Sequence, residues 1–311
     1  MEVIDLSTGQ FFHRELIAAT VGFFDGVHVG HRHLINQVKE EAKRLGIPSA
    51  VITFPVHPRK VLQQDYQPQL LCGLDEKISQ LVTTGINYVI VMPFTPELSR
   101  LTAKEFILDI LKEKLNVQSL FVGYDHRFGH NREEDFPDYK NYGEEVGITV
   151  HKASEFLYDN HPVSSSVIRR LLMEGNIQSA NKLLTYPYNL SGEIIPGNQL
   201  GRTIGFPTAN IRSWEPYKVI PHAGVYAVRV RADEDVYGGM LYIGTRPTVN
   251  TTDYMNVEVN IFDFEQDLYN RSLTVEFVQF VRADMKFESL DMLANQIAQD
   301  KKDILQILQN H

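Results

Sequence analysis

The chain has 311 residues, of which 43% are hydrophobic, and its 30 basic and 39 acidic side chains give a formal charge of −9. This length suits two domains, and the acidic balance argues against binding of polymeric DNA or RNA, whose phosphates need a broad basic surface. The single cysteine, Cys72, excludes an internal disulfide and favours a reducing compartment. Residues 1–16 lack a signal-peptide core and no apolar run reaches membrane-spanning length, so we expect a cytoplasmic protein without membrane partners.

The first part of the chain alternates buried strands with amphipathic helices. Strands are predicted at 18–23, 49–54, 88–92 and 119–122, and helices at 32–45, 74–84 and 102–115. Strands separated by helices of ten or more residues predict a Rossmann-like parallel sheet covered on both faces. Ligands of such sheets bind beyond the carboxyl ends of the strands.

After about residue 185 the pattern changes to short strands separated by Gly and Pro. Strands are predicted at 224–230, 239–243, 256–262 and 273–281, followed by one helix at 289–308. This favours a small antiparallel barrel or sandwich with a terminal helix. We place the domain boundary before Tyr186, giving an α/β domain at 1–184 and a β domain at 185–311.

The segment between the first strand and the first helix carries glycines and histidines. Gly26 and Gly30 permit a tight turn, and His28 and His31 fall at the helix N-terminus, where the helix dipole favours an anion. A lone His-x-x-His carries little information, but the whole string Gly22–His31 resembles the GxFDGxHxGH signature of the nucleotidyltransferase superfamily, which moves a nucleotide by attack on an α-phosphate. The resemblance implies catalytic roles for His28 and His31. It also implies ATP contacts at Gly22, Phe23, Asp25, Gly26 and Gly30.

Three further segments of the first domain extend this resemblance. Residues 164–169 are similar to the superfamily's SSTxIR element, which implies phosphate binding by Ser164, Ser165 and Arg169; a helix cap by the serines is the structural alternative. Residues 121–129 resemble a VGxDFRFG segment, with His126 where Phe is usual, and imply flavin contacts at Asp125, Arg127 and Phe128. Residues 53–58 resemble TFDPHP, with Pro55 and Val56 in place of Asp-Pro.

The second domain contains the string Gly201–Ile211, rich in Gly and lacking a Walker A pattern. It is similar to the GRxxGxPTAN signature of riboflavin kinases. The resemblance implies nucleotide contacts at Gly201, Arg202, Gly205 and Pro207. It also implies that Thr208 and Asn210 hold Mg²⁺, a hard cation suited to oxygen ligands.

The predicted strand at 256–262 alternates, so Val257 and Val259 face the core and Glu258 faces away. Glu258 matches the catalytic glutamate of the same kinases, which implies that it is the general base on the primary hydroxyl of riboflavin. Residues 281–287 resemble an RxExKF segment, and imply flavin contacts at Arg282 and at Asp284, a shorter carboxylate in the Glu position.

Altogether the resemblance covers residues 21 to 300, and the chain is identified as a member of the bacterial bifunctional riboflavin kinase/FAD synthetases. This implies riboflavin, FMN and ATP as substrates, with Mg²⁺. Two alternatives remain open: a riboflavin kinase whose adenylyltransferase module has decayed, and a non-catalytic flavin or nucleotide sensor. The sequence leaves the oligomeric state undetermined.

Overall fold

The structure is a computed structural model that describes residues 1–10, 12, 15–63, 65–124, 127–130, 133–196, 205–246, 254–264 and 272–310. The chain divides into two compact units, Met1–Ser165 and Ser166–His311. The boundary after residue 184 stays a prediction. Within the described parts of the chain, every helix is too short or too polar to cross a membrane.

The first unit is an α/β layer structure. Its elements are β1 (Glu2–Asp5), β2 (Ile17–Val21), α1 (Val29–Leu45), β3 (Ser49–Thr53), α2 (Pro58–Leu62), α3 (Leu74–Val82), β4 (Tyr88–Val91), α4 (Pro96–Arg100), α5 (Ala103–Glu105) continued by a π-helical Phe106–Lys112, β5 (Val117–Val122), α6 (Phe136–Val146), β6 (Thr149–Lys152), β7 (Leu157–Tyr158) and β8 (His161–Pro162). Six strands form a parallel sheet in the order β1-β4-β3-β2-β5-β6. The predicted parallel sheet is therefore confirmed.

Both faces of this sheet are buried, which explains why its central strands are almost wholly apolar. All five residues of β2 are buried: Ile17 and Ala19 join the core on one face, and Ala18 joins the core on the other face together with Ile35 of α1. The chain leaves β2 for β3 on one side and later returns to β5 on the other. The carboxyl end of β2 is thus the topological switch point at which ligands of such sheets bind.

The second unit begins with two helices and continues as a barrel. Its elements are α7 (Ser165–Met173), whose first residue belongs to the first unit, α8 (Ile177–Leu184), β9 (Asn189–Ile195), β10 (Ala209–Ser213), β11 (Gly224–Ala232), β12 (Asp235–Arg246), β13 (Tyr254–Ile261), β14 (Ser272–Arg282) and α9 (Leu290–Gln309). The six strands close into an antiparallel barrel in the order β10-β13-β12-β11-β14-β9. The predicted barrel with a terminal helix is confirmed, and the sandwich is excluded.

Helix α9 packs on the outside of this barrel. Ile304, in the C-terminal half of the helix, is fully buried and belongs to one core cluster with Val225, Met240 and Phe262. Because side chains alternate along a strand, the neighbouring Leu241 points to the opposite face, and it is also fully buried. One face of β12 and β13 therefore lines the barrel core, and the other face lies on the side of α9.

Candidate functional sites

The loop between β2 and α1 has an unusual backbone. Phe24 has φ 55° and Val27 has φ 40°, with Gly26 at φ 78° between them. A positive φ is costly for a β-branched residue such as Val27, on the order of 1–3 kcal/mol. The surrounding structure must hold this conformation, and strained backbone of this kind concentrates at functional sites.

Asp25 anchors the loop to the segment that contains Leu71 and Cys72. Its carboxylate Oδ1 accepts hydrogen bonds from the backbone amides of Leu71 at 2.9 Å and Cys72 at 3.3 Å. The Cys72 Sγ accepts from the Gly26 amide at 3.1 Å, and the Ser165 hydroxyl donates to the Asp25 carbonyl at 2.9 Å. Burial raises the pKa of the Cys72 thiol to about 12, with a contribution from Asp25, so the thiol stays protonated. The predicted phosphate contact of Asp25 remains a prediction.

The two histidines meet at the start of α1. His28 is the N-cap residue, and its Nδ1 accepts from the His31 amide at 3.4 Å. The two imidazole rings are stacked, with centroids 3.7 Å apart and an interplanar angle of 17°. A side chain at Gly30 would press against the His28 ring, with its Cβ 3.2 Å from Cε1, which explains the glycine. The predicted position of both histidines at the helix N-terminus is confirmed, and their catalytic roles stay predictions.

Lys77 of α3 was not predicted as part of this site. It is only 2% exposed, its Nζ donates to the Phe54 carbonyl at 2.7 Å, and it lies 3.9 Å from the centroid of the Phe23 ring. Burial lowers the pKa of its ammonium group to about 8. The sequence did hold a signal, because Lys77 falls between Leu74 and Leu81 on the apolar face of the helix.

The other predicted residues of the first site lie just after β2 and at the beginning of α7. Gly22 donates its amide to the carbonyl of Ile52, and the Thr53 hydroxyl donates to the carbonyl of Phe23 at 3.1 Å. Ser164 directly precedes α7, and Arg169 lies in the part of α7 that belongs to the second unit, where its Nη1 donates to the Ser166 hydroxyl.

The predicted flavin contacts of the first unit remain predictions. The Phe128 ring stacks on Tyr139, with centroids 4.2 Å apart, and packs against the core of the unit, whereas Arg127 is exposed. Asp125 lies outside the described residues.

In the barrel, strand register brings the predicted kinase residues into one row. Asn210 of β10 pairs with Glu258 of β13, Glu258 with Tyr242 of β12, Tyr242 with Val225 of β11, and Val225 with Arg282 of β14. Directly opposed residues of antiparallel strands share a face, so Asn210, Glu258 and Tyr242 lie side by side. Val257 and Val259 are buried on the other face, as predicted.

Glu258 is held by two donors. The Thr208 hydroxyl donates to its Oε2 at 3.0 Å, and the Asn256 side-chain amide donates to its Oε1. Just before Thr208, the Pro207 carbonyl accepts from the Asn260 side chain at 2.7 Å. The loop residues Pro207 and Thr208 are thereby fixed to β13, beside the carboxylate. Gly205, at φ 85°, begins the described part of this loop, and Gly201 and Arg202 lie outside it.

Tyr242 connects Glu258 to Asp284, and sequence reasoning missed it. Asp284, Glu258 and Arg282 are all close enough to the Tyr242 hydroxyl to act on it electrostatically. Burial, and next the charge of Asp284, raise the pKa of Tyr242 to about 12, so its phenol remains a donor. The ring lies along the strand over Gly244, where any Cβ would overlap it. Arg282 forms an ion pair with Asp300 of α9, at 2.7 Å.

The oxygen atoms around Glu258 suit a divalent cation. Hydroxyl, amide and carboxylate oxygens of Thr208, Asn210 and Glu258 are the ligand types that Mg²⁺ prefers, with phosphates completing its shell. Within the described ranges there is no group of three or more His, Cys, Asp or Glu side chains that could bind a metal.

A Rossmann-like unit with stacked histidines at its switch point, joined to a barrel with a Thr–Asn–Glu cluster, defines a two-module transferase. The family model for FAD synthetase matches residues 12–167, and that for riboflavin kinase matches residues 184–308. The bifunctional riboflavin kinase/FMN adenylyltransferase of Escherichia coli (strain K12) is 39% identical over 283 residues, 91% of this chain and 90% of that protein. The same-named protein of Bacillus subtilis (strain 168) is 36% identical over 297 residues, 93% of this chain and 92% of that protein. The chain belongs to the bifunctional riboflavin kinase/FMN adenylyltransferase family.

A solved structure shares the architecture along nearly the whole chain. A crystal structure described as a macrolide-efflux protein from Streptococcus pneumoniae covers 96% of this chain and 97% of its own, with a TM-score of 0.86 and 30% sequence identity. Its similarity extends over both units, so the pairing of this α/β unit with this barrel recurs in a second protein.

Proposed function

We propose that the barrel phosphorylates riboflavin to FMN, and that the α/β unit adenylylates FMN to FAD with release of pyrophosphate. Each step consumes one ATP. The observation that carries the proposal is the cluster of Thr208, Asn210 and Glu258 on β10 and β13, within a chain that both family models match. The cytoplasm is the proposed compartment, where the unpaired Cys72 would remain a thiol.

In the kinase step, Glu258 removes the proton from the primary hydroxyl of riboflavin as that oxygen attacks the γ-phosphorus of ATP in line, and ADP leaves as the bond to the bridging oxygen breaks. The Thr208 and Asn256 donors keep the carboxylate in one orientation, which is the pre-organisation that such a base requires. Thr208 and Asn210 would hold a divalent cation, for which we propose Mg²⁺. When bound, it neutralises charge on the transferring phosphates.

In the adenylyltransferase step, an oxygen of the FMN phosphate attacks the α-phosphorus of ATP and pyrophosphate leaves. A phosphate nucleophile is ionised near neutral pH, so this step needs no general base. His28 and His31 donate to phosphate oxygens from the N-terminus of α1, whose dipole also favours the anion. The rigid loop between Gly22 and His28 keeps both rings in place before substrate arrives.

One experiment separates this proposal from its two alternatives. The purified chain is incubated with riboflavin, ATP and MgCl₂, and the flavins are separated by chromatography. We expect FAD, with FMN as a transient intermediate. FMN alone would indicate a decayed adenylyltransferase, and unchanged riboflavin would indicate a sensor. A parallel reaction with EDTA, then with Mg²⁺ or Mn²⁺ restored, tests the cation.

A further inference from the structure

The terminal helix contributes a buried carboxylate to the barrel. Asp300 of α9 is only 1% exposed. Its two oxygens accept from Arg282 Nε at 3.0 and 2.9 Å, and Oδ2 accepts from Arg282 Nη2 at 2.7 Å. Gln296, one turn earlier in the helix, donates to Oδ1 at 2.8 Å. A bidentate carboxylate with an extra donor fixes a guanidinium in both position and orientation.

The remaining nitrogen of Arg282 faces the segment that follows β14. Its Nη1 donates to the Ala283 carbonyl at 3.0 Å, and its guanidinium carbon lies 5.8 Å from the centroid of the Phe287 ring. Each of the three guanidinium nitrogens thus has a protein acceptor. Arg282 therefore ties α9 to the short segment 283–287 rather than presenting an uncommitted cation to a ligand.

This segment carries Asp284, and Asp284 also has a neighbour on the barrel. Asp284 lies near enough to the Tyr242 phenol to raise its pKa, and Tyr242 is the direct cross-strand neighbour of Glu258. The Asp284 Oδ1 accepts from the Met285 amide at 2.9 Å, so the carboxylate is fixed to the backbone segment that Arg282 holds through the Ala283 carbonyl. A change in the position of Arg282 would therefore move the Asp284 carboxylate relative to Glu258.

We propose that Asp300 is a positioning residue of the riboflavin kinase site, which acts through Arg282 to set the place of the Asp284 carboxylate beside Glu258. The inference rests on the proposed function of the barrel. The sequence resemblance predicts a flavin contact at Asp284, and cation and phosphate contacts at Thr208 and Asn210. Loss of the Asp300 charge therefore impairs riboflavin binding selectively.

The helix supplies a matched control for the test. Asp303 has the same arrangement as Asp300, because Gln299, also four residues earlier, donates to its Oδ1 at 2.7 Å. Two differences remain: Asp303 is half-buried whereas Asp300 is fully buried, and the contacts described for Asp303 include no arginine. Asp300→Asn and Asp303→Asn thus make the same chemical change on the same helix, and only the first weakens the hold on Arg282.

The two variants and the parent are assayed as full chains for kcat and KM with riboflavin and with ATP, for FAD formation from added FMN, and for Tm. For Asp300→Asn we expect kcat/KM for riboflavin to fall about tenfold to a hundredfold, the scale for a small displacement in a site. The KM for ATP and FAD formation from FMN should stay within about twofold, and Asp303→Asn should match the parent. Equal behaviour of the two variants, or an equal loss for riboflavin and ATP together with a lowered Tm, would overturn the proposal.

If Asp300→Asn does not fold, Arg282→Lys keeps the charge at 282 but cannot bind the carboxylate with two parallel donors. It should show the same selective rise in the KM for riboflavin, and an unchanged KM would refute the inference. Asp300→Glu, which retains the charge, should recover part of the riboflavin kcat/KM. A parent chain that forms no FMN would instead refute the proposed function.

Discussion

The buried lysine of the first unit gives a prediction that can be worked out from the structure. Lys77 donates to the Phe54 carbonyl and contacts the Phe23 ring, and burial lowers its pKa from an ordinary 10.5 to about 8. This fall corresponds to a cost of about 3 kcal/mol for keeping the ammonium charged in the native state. Nearby Asp25 offsets part of the burial effect.

The consequence for stability has a definite sign. Between pH 8 and 10.5 the unfolded chain keeps the Lys77 proton while the folded chain releases it, so the free energy of unfolding rises with pH in this window. Lys77→Met retains an unbranched apolar side chain and removes the titration. The stability of the parent relative to the variant should therefore increase by about 1.3 kcal/mol from pH 7 to pH 9. The Cys72 thiol, whose ordinary pKa is 9.0, is about half ionised in an unfolded chain at pH 9, but parent and variant both carry this thiol, so its titration cancels in the difference between them.

The measurement must report on the first unit. The only tryptophan, Trp214, lies in the second unit, so its fluorescence does not serve. Native-state hydrogen exchange of the β3 amides, followed by mass spectrometry for parent and variant at each pH, gives the difference directly. A difference that stays constant from pH 7 to 9 would show that the Lys77 ammonium has an ordinary pKa, and the argument from burial would fail.

Three further predictions concern activity. His31→Ala should reduce FAD formation from FMN by about a hundredfold or more while FMN formation from riboflavin survives, as measured by flavin chromatography; equal loss of both would make the histidine structural. Glu258→Gln should lower kcat for riboflavin phosphorylation by ~10²–10⁴ with little change in KM, because the Gln oxygen can still accept from Asn256 and the Thr208 hydroxyl can turn to accept from the Gln amide. A near-parental kcat would remove Glu258 as the base. A chain of residues 166–311 should fold and phosphorylate riboflavin better than a chain of residues 185–311. The reason is that Asn181 of α8 donates to the Phe277 carbonyl of β14 and accepts from the Tyr188 amide. Equal melting by circular dichroism and equal activity of the two chains would support the boundary at 184.

The sequence was sufficient for the long apolar elements and for the residues next to them. Strand β2 and helix α1 were predicted from hydrophobic spacing, and His28 as a helix-start residue follows from its place between them. The short edge strand β1 was missed, because four residues with one buried side chain carry almost no periodic signal. The π-helical turn Phe106–Lys112 was predicted only as helix, since apolar spacing does not separate the two forms.

The parts of the two sites that escaped prediction depend on pairings distant in sequence. Tyr242 belongs to the candidate site because it lies opposite Glu258, and this position depends on the register of β12 against β13. In the sequence, Asp300 does not differ from the other acidic residues of α9. Only the packing of the helix against the barrel shows that it contacts Arg282. No local sequence pattern indicates either of these contacts. Thr208 and Glu258, in contrast, lie in sequence motifs long enough to be recognised.

The row from Asn210 to Arg282 also bears on how the protein acquires activity. Its members come from β10, β11, β12, β13 and β14, and the barrel is closed only when β9 has paired with both β10 and β14. Contacts between such distant strands form slowly during folding, because the intervening loops must close first. A chain diluted from denaturant would therefore bring the proposed kinase residues together only when the barrel closes. During refolding, the appearance of riboflavin turnover should therefore mark the time at which the barrel closes.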